Sequence, residues 1–405
     1  MKILVLSDVH AVSTQQKQDA GPSYVCFANT RRTPISDPLI GLATLLDEGA
    51  VSKPDMIICA GDLGNQADAV AISSVWTELH QLCKKHAIPH LIGTCGNHDL
   101  DTRHKHNKFD PNGFLRALEP AFPVAELAKT DLQHLQYWAN NFSIIEEGKF
   151  RVLNINSCAY HGFGEGEEPE FIKGRVSDYT IDAIKRDLRD AISRDKTKLN
   201  ICIFHHHLKK IDSDVFDDVS VMKGAERLVN ILSEAALGDW LVVHGHRHRS
   251  DLYYTGGNSG PLVLSCASFS ATRENDKDNP SENQFYLIEL EENQAAGHSK
   301  IKGQIRAWNW ITLNGWLSAT KQPDSLPSLS GFGFRGSLFE FSDKLHAAVI
   351  KQKRLKWADA VNQFPDLLRL IPRDLEDLIG LLDRDYQDIV VSPDEHAFSE
   401  IVRKT

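Results

Sequence analysis

Short apolar runs punctuate the first two thirds of the chain, at residues 2–6, 56–59, 90–92, 150–156, 200–204, 240–243 and 261–264. Each is too short for a stable helix and ends at polar or turn-forming residues, which predicts buried strands. Between them Ile181, Ile184, Leu188 and Ile192 recur at helical spacing, as do Leu228, Ile231, Leu232 and Ala235. One apolar stripe per helix predicts that these segments cover sheet faces. Alternating strands and helices place the chain in the α/β class. From about Phe142 onward strands follow one another more closely, so a second sheet is expected, in a layered sandwich rather than one doubly wound sheet.

The pattern breaks at residues 321–337, where Pro323, Pro327, four serines and three glycines give linker chemistry. Beyond it Leu375, Leu378, Ile379 and Leu382 form a helical stripe, with Asp374 placed to cap it. The expected division is a large domain over 1–320, a linker over 321–337 and a small α-helical module over 338–405. So small a module buries little core alone, so its stripe is expected to dock on the large domain, on a second copy or on a protein partner.

Composition narrows the class without naming a function. With 41% hydrophobic and 25% charged residues the chain is neither disordered nor fibrous. A formal charge of −10 disfavours wholesale binding of a phosphate backbone. Seven cysteines lie scattered with no CxxC pair, which fits neither a disulfide framework nor a zinc ribbon and points to a reducing cytoplasm. Residues 2–6 read directly as a buried strand, so no signal peptide is expected, and no apolar run reaches the roughly 18 residues of a membrane span.

Histidine placement carries the chemistry. Asp8 and His10 follow the first run, Gly61-Asp62 the second and Gly96-Asn97-His98-Asp99 the third. His205-His206-His207 ends the run 200–204, and His244-Gly245-His246-Arg247-His248 ends the run 240–243. Ligands of α/β sheets sit at the carboxyl ends of strands, so five loops should converge. Any one of these residues alone reads as a turn or surface residue, as do His80, His86, His90 and His134. Together they make a set of carboxylates, an amide and imidazoles without thiolate, suited to Mn²⁺, Fe or Zn²⁺. The ligands outnumber the needs of one tetrahedral ion, and two ions sharing a carboxylate are expected.

In this order the five motifs resemble the calcineurin-like metallophosphoesterase superfamily, over Met1 to about Leu313. The resemblance implies a four-layer α/β/β/α sandwich and a dinuclear phosphoester hydrolase. It gives one metal Asp8, His10, Asp62 and His248, and the other Asp62, Asn97, His246 and one histidine of the 205–207 run. His205, which directly ends the strand, is the favoured ligand and His206 the second choice. His98 matches a histidine that protonates the leaving group, and Asp99 the acid that orients it. A hydroxide bridging the metals would attack phosphorus, with His98 as general acid. The chain departs from the pattern at Asn65, where the family often has Asp, and at Cys95 and Leu208, where it often has Pro.

Gly61-Asp62-Leu63-Gly64-Asn65 and Cys95-Gly96-Asn97-His98-Asp99 differ from the protein Ser/Thr phosphatase pattern and look more like the phosphodiesterase branch. Arg103 and His206 are candidate substrate contacts. Arg103 to Lys108 reads equally as a substrate entrance or a solvated basic turn. A nuclease is the alternative, and its basic groove would have to come from Arg31, Arg32, Arg103 to Lys108, Arg247 and Arg249. A metal-bound scaffold without catalysis ranks last, because no motif residue is missing. The glycine-rich loop 162–166 lacks the Lys of a P-loop, and Lys351, Lys353, Arg354 and Lys356 read as a solvated basic helix face.

Overall fold

The computed structural model describes residues 1–125, 130–163, 170, 173–210, 220–257, 260–272, 282–292, 294–295, 298–320, 322, 324–394 and 397–404. Residues 164–166 of the glycine-rich loop, and Lys321 and Pro323 of the expected linker, lie outside these. The apolar runs are strands on or within a residue of their expected bounds: Lys2–Leu6, Met56–Cys59, Leu91–Gly93, Phe150–Ile155, Leu199–Ile203, Trp240–His244 and Leu262–Ser265.

They distribute into two sheets. The first runs Gly315–Ser318, Gly303–Ile311, Gln284–Leu290, Lys2–Leu6, Met56–Cys59, Leu91–Gly93, Val124–Ala125, with Leu329–Phe332 also paired to Gly303–Ile311. The second runs Phe142–Glu147, Phe150–Ile155, Leu199–Ile203, Trp240–His244, Leu262–Ser265, Asp251–Tyr254. Lys2–Leu6, Met56–Cys59 and Leu91–Gly93 are parallel, as are Phe150–Ile155, Leu199–Ile203, Trp240–His244 and Leu262–Ser265. Antiparallel strands flank both parallel groups.

Side-chain alternation makes the layers. Ile3, Val5, Met56 and Ile58 pack between the sheets against Val152, Ile201, Leu241 and Val243. Leu4, Leu6, Ile57 and Cys59 turn the other way, onto Leu42, Val75 and Trp76 of the helices Pro38–Asp47 and Ala69–His86. Leu153, Cys202 and Val242 likewise cover Ile181, Ile184, Leu188 and Leu228 on the helices Asp178–Arg194 and Ala225–Leu232. Helix, sheet, sheet and helix stack as four layers. Strands buried on both faces are largely apolar, which is why they stand out in the sequence despite buried Arg151, Asn154 and Asn200.

The C-terminal module has the expected helices, Leu338–Gln352, Trp357–Gln363 and Pro372–Asp385, around a core of Leu345, Val349, Leu378 and Leu382. A three-stranded sheet of Arg354–Lys356, Phe398–Arg403 and Ile389–Pro393 joins them. Helical periodicity carried no trace of it. Pro372 rather than Asp374 starts the last helix, with Ile371 as N-cap, because proline presets the first helical φ. The basic residues expected on one helix face divide between a helix end and the Arg354–Lys356 strand. Among the described residues no helix is long and apolar enough to cross a membrane.

The expected linker is part of the large domain. Leu329–Phe332 pairs with Gly303–Ile311, and Leu326, Phe332 and Ile371 enter the core between the sheets. Serine, glycine and proline composition masked a strand that needs only Ser330 and Phe332 buried. Arg335 completes the junction, lying 3.8 Å over the Tyr254 ring and donating to Gly260 O at 2.9 Å. The helical stripe expected to dock packs instead into the module's own core, and the module meets the large domain through Ile371. Phe332→Ala is expected to cost about 3–5 kcal/mol in urea unfolding. Truncation after Thr320 should also expose the Gly303–Ile311 edge and yield aggregated protein in size-exclusion chromatography.

Candidate metal centre

Every motif residue leaves a strand at its carboxyl end, and backbone pairing continues into the loops. Asp8 N–H donates to Gly61 O, and His10 N–H to Asp62 O, each at 2.9 Å. Gly245 N–H donates to His205 O at 3.0 Å, which binds the loops of the second sheet in the same way. To aim their side chains, Asp8, His10, Asp62, His246 and His248 adopt left-handed φ of 54°, 49°, 55°, 82° and 55°. Such conformations cost on the order of 1–3 kcal/mol each in a non-glycine residue and persist only where their surroundings enforce them. Glycines make the approach possible. A Cβ on Gly245 would stand 2.0 Å from Ser7 Oγ and 2.2 Å from Asp8 Oδ2, and one on Gly96 would stand 2.1 Å from Asp62 Oδ1.

Asp8, His10, Asp62, Asn97, His205, His246 and His248 come together. His10 Nε2 lies 3.0 Å from His248 Nε2 and 3.5 Å from Asp62 Oδ2, and His248 Nε2 lies 3.3 Å from Asp8 Oδ1. On the other side of Asp62, His205 Nε2 lies 3.2 Å from Asp62 Oδ2 and 3.1 Å from Asn97 Oδ1. Asn97 Oδ1 is also 3.0 Å from His246 Nδ1. The tautomer of His205 is fixed, because its Nδ1–H donates to Ala60 O at 2.9 Å. Its Nε2 lone pair therefore faces two oxygen acceptors. Lone pairs converging on lone pairs repel unless a cation lies among them, so this donor set fits metal ions.

The electrostatics agree. Burial would raise the Asp8 pKa, but the imidazoles of His248 and His10 outweigh it and hold the group well below the usual range. Asp62 is lowered likewise, with burial opposed chiefly by His205 and His98. Burial would lower His205, yet the charges of Asp62 and Asp8 push it up to about 10, so the pocket at its Nε2 is one that favours positive charge, whether of a proton or of a metal ion. Burial takes His98 down to about 4.

Two expectations need correction. Asp99 does not orient His98: its carboxylate accepts from Gly96 N–H at 2.9 Å and Gly64 N–H at 3.1 Å, shaping the loops instead. Burial, with the Asp62 charge, raises the Asp99 pKa to about 7. The partner of His98 is Asn65, whose Oδ1 accepts from His98 Nδ1–H at 2.8 Å while its Nδ2 donates to Gly21 O at 3.2 Å. The signal was present in the sequence, three residues after Asp62, as a departure from the pattern. Second, His206 is fully buried, with Nδ1 2.9 Å from Ser157 Oγ, and does not line the cavity over the site, so it is no substrate contact. Extended backbone turns consecutive side chains apart, and the 205 position took the site.

That cavity, of about 530 Å³, has His10, Asp62, Asn97, His98, His246 and His248 among its lining. Arg103, Lys105 and Arg247 add positive charge to its wall. Two other expected sources of a basic groove are engaged with acids. Arg32 pairs with Asp37 and Glu78, and Arg249 approaches Asp324 at 3.5 Å.

Among curated proteins none matches this chain in sequence. A dimetal phosphatase from Danio rerio aligns over 80% of this chain and 99% of its own, at 11% identity and a TM-score of 0.46. A purple acid phosphatase from yellow lupin (Lupinus luteus) seeds aligns over 79% of this chain and 52% of its own, at 14% identity and a TM-score of 0.45. Residues 330–384 match the family model described as wHTH-Calcineurin_assc. The family model described as calcineurin-like phosphoesterase matches residues 1–250, well over half of the chain, and the protein belongs to that family of metal-dependent phosphoester hydrolases.

Proposed function

We propose that this protein is a dinuclear phosphodiesterase. In this reading one divalent ion is held by Asp8, His10, Asp62 and His248, and a second by Asp62, Asn97, His205 and His246. The observation that carries it is the position of Asp62 Oδ2, 3.5 Å from His10 Nε2 and 3.2 Å from His205 Nε2, facing both ligand groups. Mn²⁺ or Fe suits the oxygen and nitrogen donors best, with Zn²⁺ next. When bound, such ions supply a nucleophilic water near neutral pH and neutralise charge on the phosphoryl oxygens.

The remaining steps fall to the chain. His98, with Nδ1–H fixed on Asn65, presents its other nitrogen to the leaving oxygen; since burial lowers its pKa, the proton delivered there is held by the negative charge of the bound phosphate. Asn65, itself held by Gly21 O, keeps that ring from turning. Arg103, Lys105 and Arg247 orient the substrate anion. A cavity of about 530 Å³ leaves room for both substituents of a diester. A nuclease finds less support, since Arg32 and Arg249 are engaged with acids. The module's Pro372–Asp385 helix also carries five carboxylates against two arginines, poor chemistry for a phosphate backbone. Residues 1–320, closed by the Leu329–Phe332 strand, form the catalytic unit, and 338–405 an attached module open to a protein partner. Seven free thiols, six of them buried, fit a cytoplasmic setting.

Two experiments test this reading. Because Asp62 would serve both ions, Asp62→Asn should lose more bound metal than Asn97→Ala in elemental analysis; two ions retained per chain in Asp62→Asn would refute the assignment. His98→Ala should keep its metal and lose about 10²–10⁴-fold in turnover on alkyl diesters. Activated aryl diesters should suffer much less, and equal losses across leaving groups would remove His98 from the role.

A further inference from the structure

A second group of metal-binding side chains lies beside the first and takes no part in the proposed hydrolysis. Cys158 and His161 sit in the turn after the Phe150–Ile155 strand, and His206 follows the adjacent parallel strand Leu199–Ile203. All three are buried, at 1%, 1% and 0% exposure, and one donor atom from each lies within 4.8 Å of the others. Cys158 Sγ is 3.9 Å from His206 Nδ1. A sulfur and a nitrogen on one tetrahedral zinc ion stand about 3.6 Å apart, so little movement separates this arrangement from a ligated one.

Hydrogen bonding leaves the imidazoles ready for an ion. His161 Nε2–H donates to Lys173 O at 3.0 Å, which puts the lone pair on Nδ1, and that buried atom has no partner. Burial takes the ring down to about 4, keeping it neutral. A ligating histidine characteristically donates its other N–H to a carbonyl in this way. His206 turns Nδ1 toward Cys158 Sγ, so Nδ1 is its candidate donor, and an ion there would take the place of the Ser157 Oγ contact at 2.9 Å. Gly174, where a Cβ would stand 2.3 Å from His206 Cγ, leaves room for the ring. Cys158 Sγ–H is held weakly, by Cys95 O at 3.3 Å and His206 Nδ1 at 3.9 Å.

We propose that Cys158, His161 and His206 form a separate site for a single thiolate-preferring divalent ion, Zn²⁺ above all, which ties the 157–163 turn to the 205–207 loop. Sulfur and imidazole donors select zinc over the manganese or iron that suits the neighbouring oxygen-rich set. Binding replaces the Cys158 S–H bond with an S–metal bond and releases that proton to solvent. None of the three residues lines the cavity, so the ion enters during folding and resists brief chelation of the folded protein.

Cobalt substitution separates this site from the dinuclear one, whose donors contain no sulfur. Protein produced in cobalt-supplemented medium is expected to show a sulfur-to-cobalt charge-transfer band in the near ultraviolet. The band should vanish in Cys158→Ser, weaken or shift in His161→Gln, and persist in Asp62→Asn and Cys95→Ala. Zinc content of protein grown with zinc should fall by one ion per chain in Cys158→Ser and His161→Gln, with unchanged far-ultraviolet circular dichroism. A wild-type protein without the band, or a band untouched by Cys158→Ser and His161→Gln, overturns the proposal. So does a band lost in Cys95→Ala alone.

Discussion

The convergence of metal-ligand donor atoms into one small volume is the constraint on which this molecule depends. Nitrogen of His10 faces nitrogen of His248 at 3.0 Å, and nitrogen of His205 faces oxygen of Asp62 at 3.2 Å and of Asn97 at 3.1 Å. A chain left to itself would splay such groups apart. They are held because five left-handed residues and two glycines, Gly96 and Gly245, fix the loops, and because those loops leave parallel strands whose pairing extends past the strand ends. The four-layer core supplies the rigidity: strands covered on both faces have little freedom to shift register, so their carboxyl ends stay aligned.

Much of this was legible in the sequence for one physical reason. A parallel strand buried on both faces is apolar at most positions, and it stops abruptly where the polar ligand loop begins. Residues 2–6 and 56–59 were delimited to the residue on that basis, and the motif residues after them announced the site. The family pattern then distributed the ligands, and all seven converge.

Elsewhere the signal was weaker because the physics differs. Gln284–Leu290 and Gly303–Ile311 are antiparallel, and in Gly303–Ile311 buried positions alternate with Gln304, Arg306 and Trp308, which breaks the run. Leu329–Phe332 hid within serine and glycine. Asp99 and Asn65 exchanged expected parts because hydrogen bonding is decided in three dimensions: the Asp99 carboxylate is consumed by two backbone N–H groups before it could reach an imidazole. The Cys158, His161 and His206 group joins residues from two strands' ends with no motif spacing to betray it.

The strand order of the first sheet also dictates when the protein can fold. Lys2–Leu6 lies between Met56–Cys59 and Gln284–Leu290, and the core beneath it includes Phe332 and Ile371. At about 5–20 residues per second, a ribosome needs on the order of tens of seconds to pass from that strand to its later neighbour. Throughout that interval an apolar edge formed by Lys2–Leu6 waits without its partner, open to pairing with other chains.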